Sequence, residues 1–415
     1  MKERNIMSLL FPPFRISDKD NCLWPRPQDA VFSCSINRDF IRITKRGIRH
    51  DKTGQLPPRL ADDNSVKFRS PREIYPDLLR ILASFAVVVL HSAAAGFYGR
   101  FAPDTTQFQA CNFYNSIVRF CVPVFVMISG MFLLDEHKEY PVKKLYQTKI
   151  LRIAIAYFGW STFYALITQF HMHFSMPIRE LVWEIINGHY HLWFLLMITG
   201  LYIMTPILRW IARNDGVCVY FIILGIITVF CLPLFAGVPG IGPILESILE
   251  RMDVKVAAGF STYYLLGYYL SKHRISSRSL RSCIYGMGML AVIGTILYNG
   301  LYSVHKGTAG GWVYGNFMPN TFLASVALFV FCQSHFPKAR FSPGQYAIIS
   351  LLAKMTFGIY LVHVFILDHL RCIGLPNFFI HPLFSIPITS CLTWILSFCF
   401  VYVMQKIPIL NRYAI

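Results

Sequence analysis

Three residues in one apolar stretch have the types and spacing to do chemistry: Asp77, Arg80 and His91 of YPDLLRILASFAVVVLH, Tyr75 to His91. His91 follows Arg80 by eleven positions and Asp77 by fourteen. At about 3.6 residues per turn, eleven positions make almost three full turns, so the two side chains project from one face, roughly 16 Å apart along the axis. Asp77 joins the same stripe one turn earlier. A guanidinium suits a phosphate and a neutral imidazole suits proton abstraction. Both are costly inside a membrane, which points to a site. The bland alternative is an Arg anchored at the headgroups and a His satisfied within the helix bundle.

Composition fixes the setting in which these residues work. The 415 residues are 55% hydrophobic and 14% charged, with mean hydropathy +0.47. A soluble chain carries about 25% charged residues, so the expected fold class is all-α: a polytopic membrane protein. The net charge of +18 belongs to loops beside anionic lipid and calls for no nucleic-acid partner. Most of the 11 cysteines sit in apolar runs, without CxxC pairs or Cys/His clusters at metal-ligand spacing. No structural disulfide and no metal site is expected.

Residues 1–70 differ in kind. They mix Pro, Arg, Lys and Asp without a sustained period, the pattern of a disordered basic cytoplasmic extension; an upstream start codon is an admissible origin for it. The domain of interest is 71–415. Ten runs approach or reach the ~20 residues needed to span: 77–98, 117–134, 149–170, 191–211, 217–235, 257–271, 282–302, 319–335, 347–370 and 383–405. Loops after even-numbered runs are basic (Lys138, Lys143, Lys144, Lys149; Arg209, Arg213; Lys272, Arg274, Arg278, Arg281; Lys338, Arg340), whereas loops after odd-numbered runs hold scattered positives only. That alternation predicts an even number of spans with both termini cytoplasmic. The first helix then runs outward, from a cationic inner end to a titratable base in the outer half.

Other polar groups sit at membrane depth. Lys149 and Arg152 share a face at the inner end of the third span, where they can bind phosphate or simply snorkel. His189 and His191 precede the fourth span, and His191, Trp193 and Phe194 can line a sugar-binding mouth or serve as interfacial belt residues. His363 lies in the apolar core of the ninth span, placed for chemistry or for packing. In the second span, Pro123 and the Ser129-Gly130 pair predict a kink and close helix approach. The Gly-rich loops Lys306 to Asn316 and Ala236 to Pro243 lack the setting of a phosphate-binding loop and read as flexible external segments, fit to act as lids.

The R-x10-H pair (Arg80, His91), VPVFVMISGMFLL, LYQTKILRI, HLWFL (His191 to Leu195) and FGIYLVH (Phe357 to His363), in this order over about 72–405, resemble the acyltransferase-3 family. The likeness is greatest to bacterial inner-membrane O-acetyltransferases of surface glycans, of the kind acting on enterobacterial common antigen. Met131 stands where many members carry Phe, a mild departure. The resemblance implies acetyl-CoA as a cytoplasmic acyl donor rather than a permanently bound cofactor. It also implies a glycan or lipid-linked oligosaccharide hydroxyl as acceptor, and a multi-pass position in the inner membrane. It makes Arg80 and His91 the essential pair and puts Arg152 at the family's basic third-helix position; Asp77, one turn before Arg80, is expected to orient it. Lys149 and Arg152 are then expected to help hold CoA, and His191, Trp193 and His363 to meet the acceptor. A lipid-linked glycan transporter or flippase is the main competing expectation. A glycan polymerase would need a larger external loop, and a scaffold would leave the membrane histidines without purpose.

Overall fold

A computed structural model describes residues 73–138, 140–237, 240–252, 254–337, 341–372 and 378–407. The expected extension 1–70 and the loop cations Lys338 and Arg340 lie outside these residues.

The described chain is helical throughout, with no strand. Its principal helices are α1 (Tyr75–Ala95), α2 (Thr106–Ile117), α3 (Cys121–Leu133), α4 (Leu151–His171), α5 (Ile178–Asn187), α6 (Trp193–Ala212), α7 (Asp215–Gly225), α8 (Gly242–Met252), α9 (Val254–Lys272), α10 (Arg278–Lys306), α11 (Pro319–His335), α12 (Pro343–Cys372) and α13 (Pro382–Met404). Among the described residues, nine helical stretches are long and apolar enough to cross a membrane. The sixth expected span, α9, is 19 residues long and falls outside the nine. The reason is its surroundings. Tyr263, Tyr264, Leu265 and Tyr268 are buried inside the protein, so α9 meets protein rather than lipid and can carry tyrosines. Side chains that do face outward are apolar, such as Trp210, Leu290 and Leu301, as a lipid solvent demands.

Contacts between helix ends agree with the charge alternation. Lys272, closing α9, pairs with Glu136 beyond α3 at 3.5 Å and with Asp215 opening α7 at 3.2 Å. Arg209 near the end of α6 donates to the carbonyls of Leu133 and Lys138, both at 2.6 Å. Arg274 between α9 and α10 meets Glu73 before α1 at 2.5 Å. All lie in the segments read as cytoplasmic. They require α9 to end on that side and α10 to begin there, which restores an even count.

The second span differs from its expected bounds. It begins at Thr106, capped by its neighbour Thr105, whose hydroxyl accepts from the Phe108 amide at 3.2 Å, and it is broken at 118–120 between α2 and α3. Pro123 explains the break, because it has no amide to give the Arg119 carbonyl and its ring crowds that position. The polar face of α2 (Gln109, Asn112, Asn115, Ser116) dilutes its hydropathy, so a run drawn from apolar content starts eleven residues late. The expected close approach at Gly130 is present. A side chain there would meet the Tyr264 carbonyl of α9, and one at Gly267 would meet the Met127 carbonyl of α3. The two glycines let the backbones touch reciprocally, as small residues do between membrane helices.

Candidate active site

α1 sets the frame. Pro76 opens it at a position where its missing amide costs nothing, and the helix runs without a break from Asp77 past His91. The eleven-position spacing therefore survives as a shared face. Arg80 and His91 both line a single cavity of about 1540 Å³. Typical small-molecule pockets are ~300–1,000 Å³, so this one can hold two substrates.

The inner half of the cavity is basic. Arg80 donates to Asp77 at 2.8 Å, and Asp77 is only 1% exposed, below the cavity wall. The Arg80 guanidinium also lies 4.6 Å from the Phe132 ring centroid. Lys149 and Arg152 line the same space, with Arg152 set 5.9 Å from the Phe357 ring centroid. Lys354 of α12 adds a fourth cation, one that the sequence reading passed over. These four charges come from α1, α4, α12 and the π-helical turn before α4, where the wider turn carries Lys149.

The outer half is aromatic and imidazole-rich. His91 packs edge-on to Tyr190 at 5.4 Å between centroids and lies 5.2 Å from His363. His191, Trp193 and Phe194 all line the cavity, as expected of an acceptor mouth, and His189, Tyr190 and Tyr360 join them. His189 and His191 share a hydrogen bond between their Nδ1 atoms at 2.9 Å, so one of the two donates and the other accepts. The Tyr360 hydroxyl donates to the His191 carbonyl, tying α12 to the start of α6.

His363 departs from its expected place. It is fully buried behind the wall, not in it, with its ring against both His91 and His191. The cause is local. Its Nδ1 donates to the Tyr360 carbonyl at 2.6 Å, which turns the ring inward along α12. Beside it, the Tyr164 hydroxyl donates to the Leu361 carbonyl at 2.8 Å and accepts from the Phe365 amide at 3.2 Å. Those two backbone groups are four residues apart, so the Tyr164 hydroxyl bridges a carbonyl–amide pair of α12 beside His363. With Nδ1 protonated, the Nε2 of His363 carries a lone pair, and that atom has no hydrogen-bond partner in the protein.

Arg119 is the other group that sequence reasoning missed. A span drawn from 117 put it at a helix end; the observed span puts it in the middle, where it lines the cavity. An arginine halfway along an apolar run was the signal available. Of the two loops read as fit to act as lids, the one from Lys306 to Asn316 forms part of the cavity wall. Gly311, Tyr314, Gly315 and Asn316 line the cavity, and the loop is held by Trp312 to Tyr298, Gly310 to Ser303, Asn320 to Val313 and Tyr263 to Asn316.

The comparison with known protein families matches residues 73–404 to the acyltransferase domain of the acyltransferase-3 type. No curated protein and no solved structure matches the chain. The matched residues run from just before α1 to the end of α13 and include both halves of the cavity, and the protein belongs to the acyltransferase-3 family of membrane acyltransferases.

Proposed function

We infer that the protein is a membrane O-acetyltransferase that moves an acetyl group from acetyl-CoA to a hydroxyl of a surface polysaccharide or its lipid-linked precursor. An enterobacterial-common-antigen type of glycan in the bacterial inner membrane is the proposed acceptor and setting. One observation carries this reading: a single cavity joins four cations at its cytoplasmic end to His91 in its outer half. A long donor with a polyanionic head and a reactive tip fits that polarity.

Arg80, Lys149, Arg152 and Lys354 would hold the CoA phosphates, Arg80 with forked contacts that a point charge cannot make. Asp77 keeps Arg80 aimed. The pantetheine arm then follows α1 outward, and its length brings the thioester beside His91. The acceptor enters from the outer face between His191, Trp193 and Phe194. His91 takes the hydroxyl proton as the oxygen attacks the acyl carbon, and returns it to the departing CoA thiolate. Ring stacking by Trp193 suits a sugar face, and the tethered His189–His191 pair offers it polar partners.

The test is transfer of labelled acetyl from acetyl-CoA into glycan, in membranes carrying the protein. His91→Ala should lower the rate by ~10²–10⁴-fold, the usual contribution of a general base. The protein level and its binding of CoA should stay unchanged. A His91→Ala protein that is folded and transfers label at the normal rate removes His91 from the reaction.

A further inference from the structure

Arg119 has the setting of an anion site that the mechanism above leaves unused. It stands at the break between α2 and α3, in the middle of the 28-residue apolar stretch Thr106–Leu133. Its Nη2 donates to Asn115 Oδ1 at 2.6 Å and its Nε to the Asn115 carbonyl at 3.1 Å. Its guanidinium carbon lies 3.8 Å from the centroid of the Tyr314 ring. No carboxylate pairs with it among the described residues. Neutral acceptors and an aromatic face hold the cation in place without cancelling its charge. Of its roughly five N–H donors, those not given to Asn115 remain for whatever occupies the cavity it lines.

The support behind Arg119 is built as a unit. Asn112, Asn115, Ser116 and Arg119 fall at i, i+3, i+4 and i+7 of one helical face. Asn112 Nδ2 donates to the Ile296 carbonyl of α10 at 2.9 Å. Its Oδ1 accepts from Tyr314 at 2.6 Å and from Asn299 at 3.1 Å. Asn112, Asn115 and Asn299 are each 0% exposed. The network is satisfied at Asn112, whereas Asn299 Oδ1 has no hydrogen-bond partner among the described residues; the bonds made by Asn112 and Asn115 are what position its parts. Those bonds hold both the residue that carries the cation and the ring beneath it.

We propose that Arg119 holds the oxyanion that forms on the thioester carbonyl oxygen during acyl transfer. This rests on the acetyl-transfer reading and deepens it. In the step, the acceptor oxygen forms a bond to the acyl carbon while the carbonyl π pair moves onto its oxygen, and that negative charge meets Arg119. The hydroxyl proton passes to His91. On collapse the C=O bond re-forms, the C–S bond breaks, and the thiolate takes the proton back from His91. Arg80 cannot serve here, because it lies roughly 16 Å below His91 along the helix. Arg119 lines the same cavity as His91, and a preorganised charge at a developing oxyanion is among the largest single contributions to catalysis.

The experiment uses the full chain in lipid nanodiscs with acetyl-CoA and lipid-linked glycan extracted from membranes as the acceptor, reading acceptor-dependent thiol release and, separately, CoA binding. Arg119→Gln should lower kcat by ~10²–10³-fold, the cost of one oxyanion donor, with KM for acetyl-CoA and Kd for CoA within about threefold. Arg119→Ala should regain activity when guanidinium ion is added, which a purely structural role would not allow. Should Arg119→Gln not fold, Arg119→Lys, which keeps the charge, is compared for a tetrahedral phosphonate analogue of acetyl-CoA against its ketone analogue. The unaltered protein should prefer the phosphonate by at least ~10²-fold, as transition-state mimics are preferred, and the Lys variant should lose most of that preference. An unchanged kcat, or a raised KM with kcat intact, or full preference in the Lys variant overturns the assignment of Arg119. Absence of thiol release from the unaltered protein overturns the acetyl-transfer reading itself.

Discussion

The two halves of the cavity are built on opposite electrostatic principles. The inner half presents four exposed or part-exposed cations at the mouth, and the side chain of Arg80 is itself 27% exposed. Charges of that kind attract a ligand before they order it, and salt screens them. The outer half places imidazoles, phenols and one arginine together, and several of them are fixed by a specific partner: Tyr360 to the His191 carbonyl, His189 to His191, Arg119 to Asn115. On the proposed function the first half captures the donor and the second orients the reacting groups. Substitutions in the two halves should therefore separate in kinetics, with KM effects below and kcat effects above.

Arg80 is the sharpest probe of that division, because it belongs to the inner half yet rests on a buried partner. Removing it takes a charged partner from the buried Asp77, and the loss of one such hydrogen bond costs about 1.5–3 kcal/mol. The first turn of α1 offsets part of this, since Asp77 sits where helix dipoles favour an anion. Arg80→Gln should thus lower thermal stability and raise KM for acetyl-CoA together. Asp77→Asn with Arg80→Gln should recover most of the stability but not the affinity, leaving KM raised by about tenfold or more, in line with a charged hydrogen bond worth ~1.5–3 kcal/mol. If the double variant regains normal KM, Arg80 supports α1 and does not touch the donor.

Legibility followed the same division. The inner half was readable because a cation in an apolar run is conspicuous and the period of one helix relates Arg80 to His91 without any knowledge of neighbours. All ten runs drawn from local hydropathy fall on helices of the described chain, nine of them on stretches long and apolar enough to span and the tenth on α9. What was not readable depended on contacts between distant segments. α9 carries buried tyrosines that only its enclosure explains. His363 looked like a core histidine near the substrate, and its inward turn depends on Tyr360, in a stretch of α12 bridged by Tyr164, almost 200 positions earlier in the chain (|i−j| = 197 to Leu361). Arg119 was visible as a residue but not as a site, because the polar face of α2 hid half of its span.

Tyr164 tests the orienting half without touching its lining. Tyr164→Phe keeps the ring stacked on His189, at 4.5 Å between centroids, and removes only the hydroxyl between Leu361 and Phe365. α12 then loses its polar tie to Tyr164 beside His363. Stability should change by about 1 kcal/mol in either direction, the net worth of one hydrogen bond. The expected kinetic signature is a severalfold drop in kcat with KM for acetyl-CoA unmoved. A shift in KM alone would mean that α12 shapes the capturing half instead, and the proposed separation of the halves would fail at that helix.

Lys354 should give the smallest effect and sets the lower bound of the comparison. It is exposed at the mouth and forms no ion pair among the described residues. A point charge in that position contributes through long-range attraction, worth ~1 kcal/mol or less at a screened surface. Lys354→Gln should raise KM for acetyl-CoA by about two- to fivefold at low ionic strength, with kcat unchanged. Because the Debye length shrinks from about 30 Å at 0.01 M to about 8 Å at 0.15 M, the difference from the unaltered protein should nearly vanish as salt is added. His91→Ala and Arg119→Gln, acting on groups fixed inside the outer half, should show no such convergence. Rates measured across that salt range for all three variants place each residue in one half or the other by its slope alone.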